Sequence, residues 1–301
     1  MVKVLYVMGL YRSGSTILDI VLANHAKMVG VGELRNLPYT FAGRSERCAC
    51  GVSVIECPFW LSVRGVWEAR VGGQSAGARL ASLQDRFERT RSLPRVLLQG
   101  AWRTRDFDDY CSLTTELYRA IAEVSEREII VDSSKYPARS FALLTAPDID
   151  LRIVHLVRDG RAVIWSVRRK ESTEVDLKSE QVTAHTTRQW TVTNLLSSVV
   201  AARAGSRAIR MRYEDLVTAP ARELARIGAL AGEDVASLTE RVLSDEPLDV
   251  AHTVAGNRVR MRGQVKLRLD DEWRSRLSPR DGEVFWQRAG WLARQYGYAE
   301  R

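Results

Sequence analysis

With 301 residues, 45% of them hydrophobic, the chain can bury a substantial core and suits one large α/β domain with room for an elaborated helical portion. A net charge of +8 and a pI near 9.5 predict attraction to anions such as nucleotides, nucleic acid or acidic acceptors, but the 45 Lys and Arg residues are spread along the chain without forming a basic tract. No apolar run reaches the roughly 18 residues of a membrane helix. Arg12 and Asp19 also interrupt the apolar block that a secretory leader needs, so a soluble, cytoplasmic protein is expected.

Val2 to Met8 is strand-favouring, Gly9 and Gly14 follow with two hydroxyls, and a helically spaced apolar run continues to Asn24. This order reads strand, phosphate-cradling turn, helix. Such a turn aims backbone N–H groups at an anion on a helix N-terminus. Gly9, Gly14 and Thr16 occupy the glycine and hydroxyl positions of G-x-x-x-x-G-K-[ST], while Ser15 replaces its lysine. The cation sits inside the loop instead, as Arg12, whose planar fork suits an anion held without triphosphate geometry. The alternative is a plain Gly-rich turn with Arg12 solvated.

Further along, Met28 to Val31 predicts a short strand leading into Gly32-Glu33-Leu34-Arg35. Residues 36 to 60, rich in Gly, Pro, Arg and Cys, read as a long irregular loop, and loops of that length are usually functional or mobile. About Leu61 to Ser125 reads as several helices, an insertion placed to shape an acceptor pocket. Ile129 to Asp132 predicts a buried parallel strand, then Ser133-Ser134-Lys135-Tyr136-Pro137 and a helix over Ala138 to Leu144. Leu151 to Val157 is another strand, followed by Arg158-Asp159-Gly160-Arg161 and a helix. A long helix is expected from about Ser179 to Ala204, a strand over Ala208 to Arg212 and a helix from about Ala219 to Ala231. Strands alternating with helices imply a P-loop-like parallel sheet flanked by helices on both faces, with the helical insertion after the first βα unit and ligands at the carboxyl ends of the strands.

Three of the four cysteines lie close together, Cys48, Cys50 and Cys57. A closed zinc site needs four ligands, so the fourth would have to come from far away, from Cys111 or a histidine. Reduced thiols or a local disulfide in a surface loop are the expectation, and no metal site is assigned.

Arg158 opens a turn at a strand end, and Ser166 lies eight residues on, two helical turns along and close to the same side, so both could grip one phosphate. Together with the lysine-less loop, this resembles the sulfotransferases that use 3′-phosphoadenosine 5′-phosphosulfate (PAPS), of the bacterial type. Tyr11-Arg12-Ser13-Gly14-Ser15-Thr16 is similar to the 5′-phosphosulfate loop, in the arginine version of bacterial, Golgi carbohydrate and tyrosylprotein members. Leu156 to Ser166 is similar to the 3′-phosphate element, with Arg158 and Ser166 at the phosphate positions. The resemblance covers most of the chain in motif order and implies one sulfotransferase domain over residues 1–301, its acceptor side formed by the insertion at about 61–125.

The same resemblance implies roles for other residues. Glu33 lies where tyrosylprotein sulfotransferases carry a catalytic glutamate, and would take the acceptor proton; the alternative is a solvated carboxylate paired with Arg35. Lys135 would steady charge on the leaving nucleotide, with Ser134 beside it; the alternative is a capping serine and a surface lysine. Tyr213, in Tyr213-Glu214-Asp215-Leu216, would line the nucleotide or simply pack. Gly256-Asn257-Arg258, with Arg260 and Arg262, resembles the C-terminal basic loop near the 3′-phosphate. His155 reads as a core histidine and His25 as a capping or packing residue, whereas His185 and His252 remain alternative bases.

The expected activity is direct in-line transfer of the sulfuryl group from PAPS to a hydroxyl, less often an amine, of a small-molecule acceptor such as a phenol, lipid, sugar or secondary metabolite. No metal is required and no nucleic acid is involved; the oligomeric state is open, a homodimer included. The rival readings are a P-loop-type ATP-dependent kinase, against which the missing lysine argues, and a non-catalytic nucleic-acid-binding protein prompted by the charge.

Overall fold

The computed structural model describes residues 1–73, 75–99, 103–171 and 179–300. Positions 74 and 100–102, in the expected insertion, lie outside the described residues, as do 172–178. The chain runs β1 (Val2–Gly9), α1 (Ser15–Ala23), β2 (Met28–Gly32), α2 (Leu37–Phe41), α3 (Pro58–Val71), α4 (Ala76–Phe87), α5 (Leu93–Leu98), α6 (Arg105–Ser125), β3 (Ile129–Lys135), α7 (Pro137–Leu144) and β4 (Ile149–Val157). It continues through α8 (Gly160–Glu171), α9 (Ser179–Ala204), β5 (Ala208–Arg212), α10 (Tyr213–Thr218), α11 (Pro220–Ala231), α12 (Ala236–Leu243), β6 (Leu248–Asp249), β7 (Gln264–Val265), α13 (Trp273–Arg276) and α14 (Pro279–Gln295).

The main sheet has the order β2-β3-β1-β4-β5, and every neighbouring pair is parallel. β1 is central and buried on both faces, which is why Val2 to Met8 reads as a nearly continuous apolar run. Side chains alternate across the sheet: Val4, Tyr6 and Met8 enter the core shared with α6 and α7, while Leu5 and Val7 enter the core shared with α1 and α11. From β1 the chain builds β2 and β3 on one side; from β4 it continues to β5 on the other. The carboxyl ends of β1 and β4 therefore flank a topological switch point, where open α/β sheets bind ligands.

The helical insertion lies between β2 and β3. Its largest buried side chains are Trp60, Trp67, Phe87, Phe107, Tyr110 and Tyr118, and the Trp67 indole donates to the carbonyl of Leu113 at 3.0 Å, tying α3 to α6. Thr104 caps α6 by accepting from the Phe107 amide at 3.3 Å, with Asp106 and Asp108 in the first turn where the helix dipole favours negative charge. The loop expected over 36 to 60 is shorter than its composition implies. Pro38 and Pro58 each sit in the first turn of a helix, α2 and α3, where a missing N–H and a fixed φ favour helix entry.

Candidate active site

The turn after β1 is shaped by two close approaches. A Cβ on Gly9 would stand 2.3 Å from the carbonyl oxygen of Leu156, and one on Gly14 would stand 2.3 Å from Cδ2 of Tyr213. Gly14, at φ 94°, is also left-handed, so a side chain there meets both a ring and backbone strain. Between them Arg12 adopts φ 64°, a conformation that non-glycine residues hold only when their surroundings impose it. Its guanidinium is half-buried and has no carboxylate partner among the described residues. Burial lowers its pKa first, and the nearby cations Arg169 and Arg158 lower it further. The buried Ser13 hydroxyl likewise has no hydrogen-bond partner. A guanidinium beside a hydroxyl donor is the pairing of groups that can hold an anion.

Arg158, at the end of β4, reaches into the same loop. It donates to the Arg12 carbonyl at 3.1 Å and to the Asp270 carbonyl at 2.9 Å, pairs with the Asp270 carboxylate at 3.2 Å and lies 4.7 Å above the Tyr213 ring. Its buried Nε remains without a partner. Ser166 is buried on α8. The Trp190 indole fixes the turn by donating to the Arg158 carbonyl at 2.9 Å. Arg161, in the same turn, forks onto Asp159 at 3.1 and 2.8 Å and donates to the carbonyls of Ala299 and Glu300, anchoring the chain terminus.

Glu33 and Lys135 come together at the ends of β2 and β3 as an ion pair, so Glu33 pairs with Lys135 and not with Arg35, which binds Glu88 at 3.1 Å and Asp85 at 3.6 Å. Lys135 also holds a left-handed backbone, φ 76°. The pair sits beside the turn after β1: a Cβ on Gly256 would be 3.0 Å from the Thr16 hydroxyl and 3.5 Å from the Glu33 carboxylate. Ser134 donates its hydroxyl to Asp132, accepts the Arg35 amide at 3.0 Å and takes no direct part in the pair.

Beneath this turn lies a buried charge network. Arg139, fully buried on α7, binds Glu88 and Asp132, the latter at 3.1 Å, and the Tyr118 hydroxyl donates to Asp132 at 2.6 Å. Asp132 in turn accepts the Ser134 amide at 2.9 Å. A second buried carboxylate, Asp19 of α1, accepts the Gly32 amide at 3.0 Å while its other oxygen has no hydrogen-bond partner. Burial pushes this carboxyl up to about 7, and the Gly32 amide only partly offsets it. No role was expected of Asp19, Arg139 or Glu88, and Asp132 was expected only as the end of a strand leading to Ser134 and Lys135. A lone aspartate inside the apolar run of α1 was the available signal for Asp19; the Arg139 network carries none, since its members come from α6, α7, β3 and the residue just after α4.

The remaining candidates divide. Tyr213 packs its ring against Gly14 and under Arg158 and donates its hydroxyl to the Arg268 carbonyl at 2.9 Å. The Asn257 amide donates to the Thr16 hydroxyl at 3.2 Å, while the Asn257 side chain caps its own turn at Val259. Arg258 and Arg262 are exposed, whereas Arg260 is buried against the Arg47 carbonyl at 2.8 Å and Glu46 at 2.9 Å, turned to the cysteine loop. His155 is a core residue, bonded to Asn194 at 3.1 Å and lowered by burial to about 4. His25 bonds the Asp234 carbonyl at 2.8 Å. His185 is exposed on α9, and His252 faces cysteines. All four cysteines are free, the reduced-thiol alternative of the two expected; in a loop that is largely exposed, Cys48 and Cys57 are buried and Cys50 is exposed.

A family model described as "Sulfotransferase family" matches residues 5–237. Among solved structures, the sulfotransferase domain of the Synechococcus PCC 7002 olefin synthase is similar over 99% of this chain and 95% of its own, with 21% identity and a TM-score of 0.54. The sulfotransferase domain of the curacin biosynthetic pathway is similar over 99% of both chains, with 15% identity and a TM-score of 0.54. Among curated proteins none matches significantly.

Proposed function

Because this chain belongs to the sulfotransferase family, we propose that it transfers the sulfuryl group of PAPS directly to a hydroxyl, or less often an amine, of a small-molecule acceptor. The observation that carries this reading is the meeting of an unpartnered Arg12, an orphaned Ser13 hydroxyl and the Glu33–Lys135 pair around one turn. Arg12, Ser13 and the amides from Gly14 to Thr16 hold the 5′-phosphosulfate. Arg158 and Ser166 hold the 3′-phosphate, with the Asn257–Arg258 loop closing over the nucleotide and Tyr213 backing the turn.

Glu33 accepts the acceptor proton as its oxygen attacks sulfur, and the S–O bond to the nucleotide phosphate breaks. Lys135, released from Glu33 as that carboxylate is protonated, stabilises the negative charge left on the departing oxygen. Fixed cations and positioning supply most of the acceleration, as in phosphoryl transfer. Placing this chemistry on strand ends keeps it on rigid backbone.

The whole chain acts as one sulfotransferase domain, with the insertion on the acceptor side. A cavity of about 640 Å³ whose lining includes Arg35, Tyr39, Arg44, Asp85, Arg91 and Tyr136 opens there, within two residues in sequence of both Glu33 and Lys135. Two tyrosines and a surplus of arginines over the single Asp85, which pairs with Arg35 and Arg89, favour a small aromatic acceptor. Incubation with radiolabelled PAPS and panels of phenols, sugars and hydroxylated metabolites, without added magnesium, tests the proposal. Label passing to a hydroxyl acceptor supports it; transfer of phosphate from ATP instead contradicts it.

A further inference from the structure

Cys48, Cys50 and Cys57, within ten residues of one another, meet His252 from the far end of the chain, 195 residues beyond Cys57, and their ligand atoms all lie within 4.8 Å of one another. The Cys50 and Cys57 sulfurs are 3.7 Å apart, the Cys48 sulfur is 3.7 Å from Nδ1 of His252, and the Cys57 sulfur is 3.2 Å from the same nitrogen. A tetrahedron of thiolates around zinc, with Zn–S of about 2.3 Å, has edges of about 3.8 Å. The three separations, 3.2–3.7 Å, are close to such edges, and the Cys50–Cys57 separation is far outside the roughly 2.05 Å of a disulfide.

We propose that these four residues form a closed Cys₃His structural zinc site. The local backbone is suited to it. Gly51, at φ 98°, folds the Cys48–Cys50 turn back so that its amide donates to the Cys48 carbonyl at 3.0 Å. Cys57 is the N-cap of α3, where the helix dipole favours a thiolate. The His252 ring is held by stacking on Phe59, with ring centroids 5.0 Å apart and planes 9° from parallel. Soft sulfur and imidazole donors in a tetrahedron select zinc over harder cations.

The site explains how a loop with little regular pairing is held. Between α2 and α3 the described backbone has turn hydrogen bonds and isolated bridges, Arg47 with Ser53 and Cys48 with Val254, in place of a regular strand or helix, yet Cys48, Val54 and Cys57 are fully buried. A metal crosslink between residues 48–57 and 252 fixes such a segment directly. It also fixes the next residues: Thr253 accepts the Ala49 amide at 3.1 Å, Val254 accepts the Glu33 amide at 2.8 Å, and the Asn257 amide binds Thr16. The zinc is therefore a staple outside the chemistry, holding the segment that spans Glu33 and the phosphate-cradling turn. With all four positions filled by protein it offers no open site for catalysis, and the proposal stands whether or not PAPS is the donor.

Elemental analysis of the full-length protein purified under reducing conditions tests it. About one equivalent of zinc per chain is expected in wild type and in Cys111→Ser, whose thiol lies elsewhere, and a loss to near zero in Cys57→Ser and His252→Ala. Should those variants fail to fold, wild type is titrated with a mercurial: zinc release in step with modification of three thiols, together with a lowered thermal midpoint, supports the site. Replacement of zinc by cobalt should add the intense visible bands of tetrahedral thiolate coordination. Wild type that is isolated without zinc and takes up none, zinc retained in both variants, or a Cys50–Cys57 disulfide in the reduced preparation would overturn it.

Discussion

The carboxylate of Glu33 and the ammonium of Lys135 form an ion pair across the ends of two neighbouring parallel strands, beside the turn that carries Arg12. In the proposed reaction both partners change charge state or contact at the transition state, so their loss should fall on turnover. Glu33→Gln is expected to lower kcat by about 10²–10⁴-fold, the usual worth of a positioned base, with binding of the product nucleotide 3′-phosphoadenosine 5′-phosphate unchanged. A variant with wild-type kcat would move the base elsewhere, His185 being the next residue to replace.

Gly14 and Tyr213 set the shape of the turn. Gly14→Ala should destabilise the protein by about 1–3 kcal/mol, because the methyl enters the Tyr213 ring and the backbone is left-handed. Tyr213→Ala in the same chain should recover part of that loss, a non-additivity that a double-mutant cycle in urea detects. Strict additivity would show that the contact is not the cause.

Asp19 gives a pH signature. Its carboxyl is raised from the ordinary 3.8 to about 7 by burial, so between pH 4 and 7 the native state keeps a proton that the unfolded chain releases. The contribution of Asp19 to stability therefore falls as pH rises through that window and is constant above it. Asp19→Asn keeps an acceptor for the Gly32 amide and removes the titration. The variant should gain on wild type as pH rises from 4 to 7, by up to roughly 4 kcal/mol. Urea midpoints that differ by a constant across this range would refute the assignment.

Arg139 holds two buried carboxylates, Glu88 and Asp132. Arg139→Met should cost about 3–5 kcal/mol by leaving buried charge unpaired, and since Asp132 binds the Ser134 amide, the loss should extend to activity. Chemical denaturation and turnover measured on the same preparation check both parts; a stable, fully active variant would mean that the network is dispensable.

The parallel sheet and the positions of the turns at Gly9 and Arg158 were legible in the residues because each turn directly follows an apolar strand, so motif and period reinforce one another. Glu33 and Lys135 could be placed individually, but not as a pair, since strand order decides that β2 lies beside β3. Arg260 illustrates the converse: it sits in a basic stretch of the chain that resembles a phosphate-binding loop, yet its guanidinium is buried against the cysteine loop. His252 joins Cys48, Cys50 and Cys57 only because the segment after β6 returns to the edge of β2, and no local spacing encodes that return. The charge network of Arg139, Glu88, Asp132 and Tyr118 is hidden for the same reason: its members come from α7, the end of α4, β3 and α6.

The most direct test of PAPS-dependent transfer is calorimetric titration of 3′-phosphoadenosine 5′-phosphate into wild type, Arg12→Ala and Arg158→Ala, without magnesium, alongside ATP with magnesium. Charge-assisted hydrogen bonds are worth about 1.5–3 kcal/mol each, so each variant should bind about 10–150-fold more weakly, Arg12→Ala suffering most, and ATP should bind less well than the 3′-phosphorylated nucleotide. Absence of binding to wild type, equal binding by both variants, or a preference for magnesium-ATP would contradict the account.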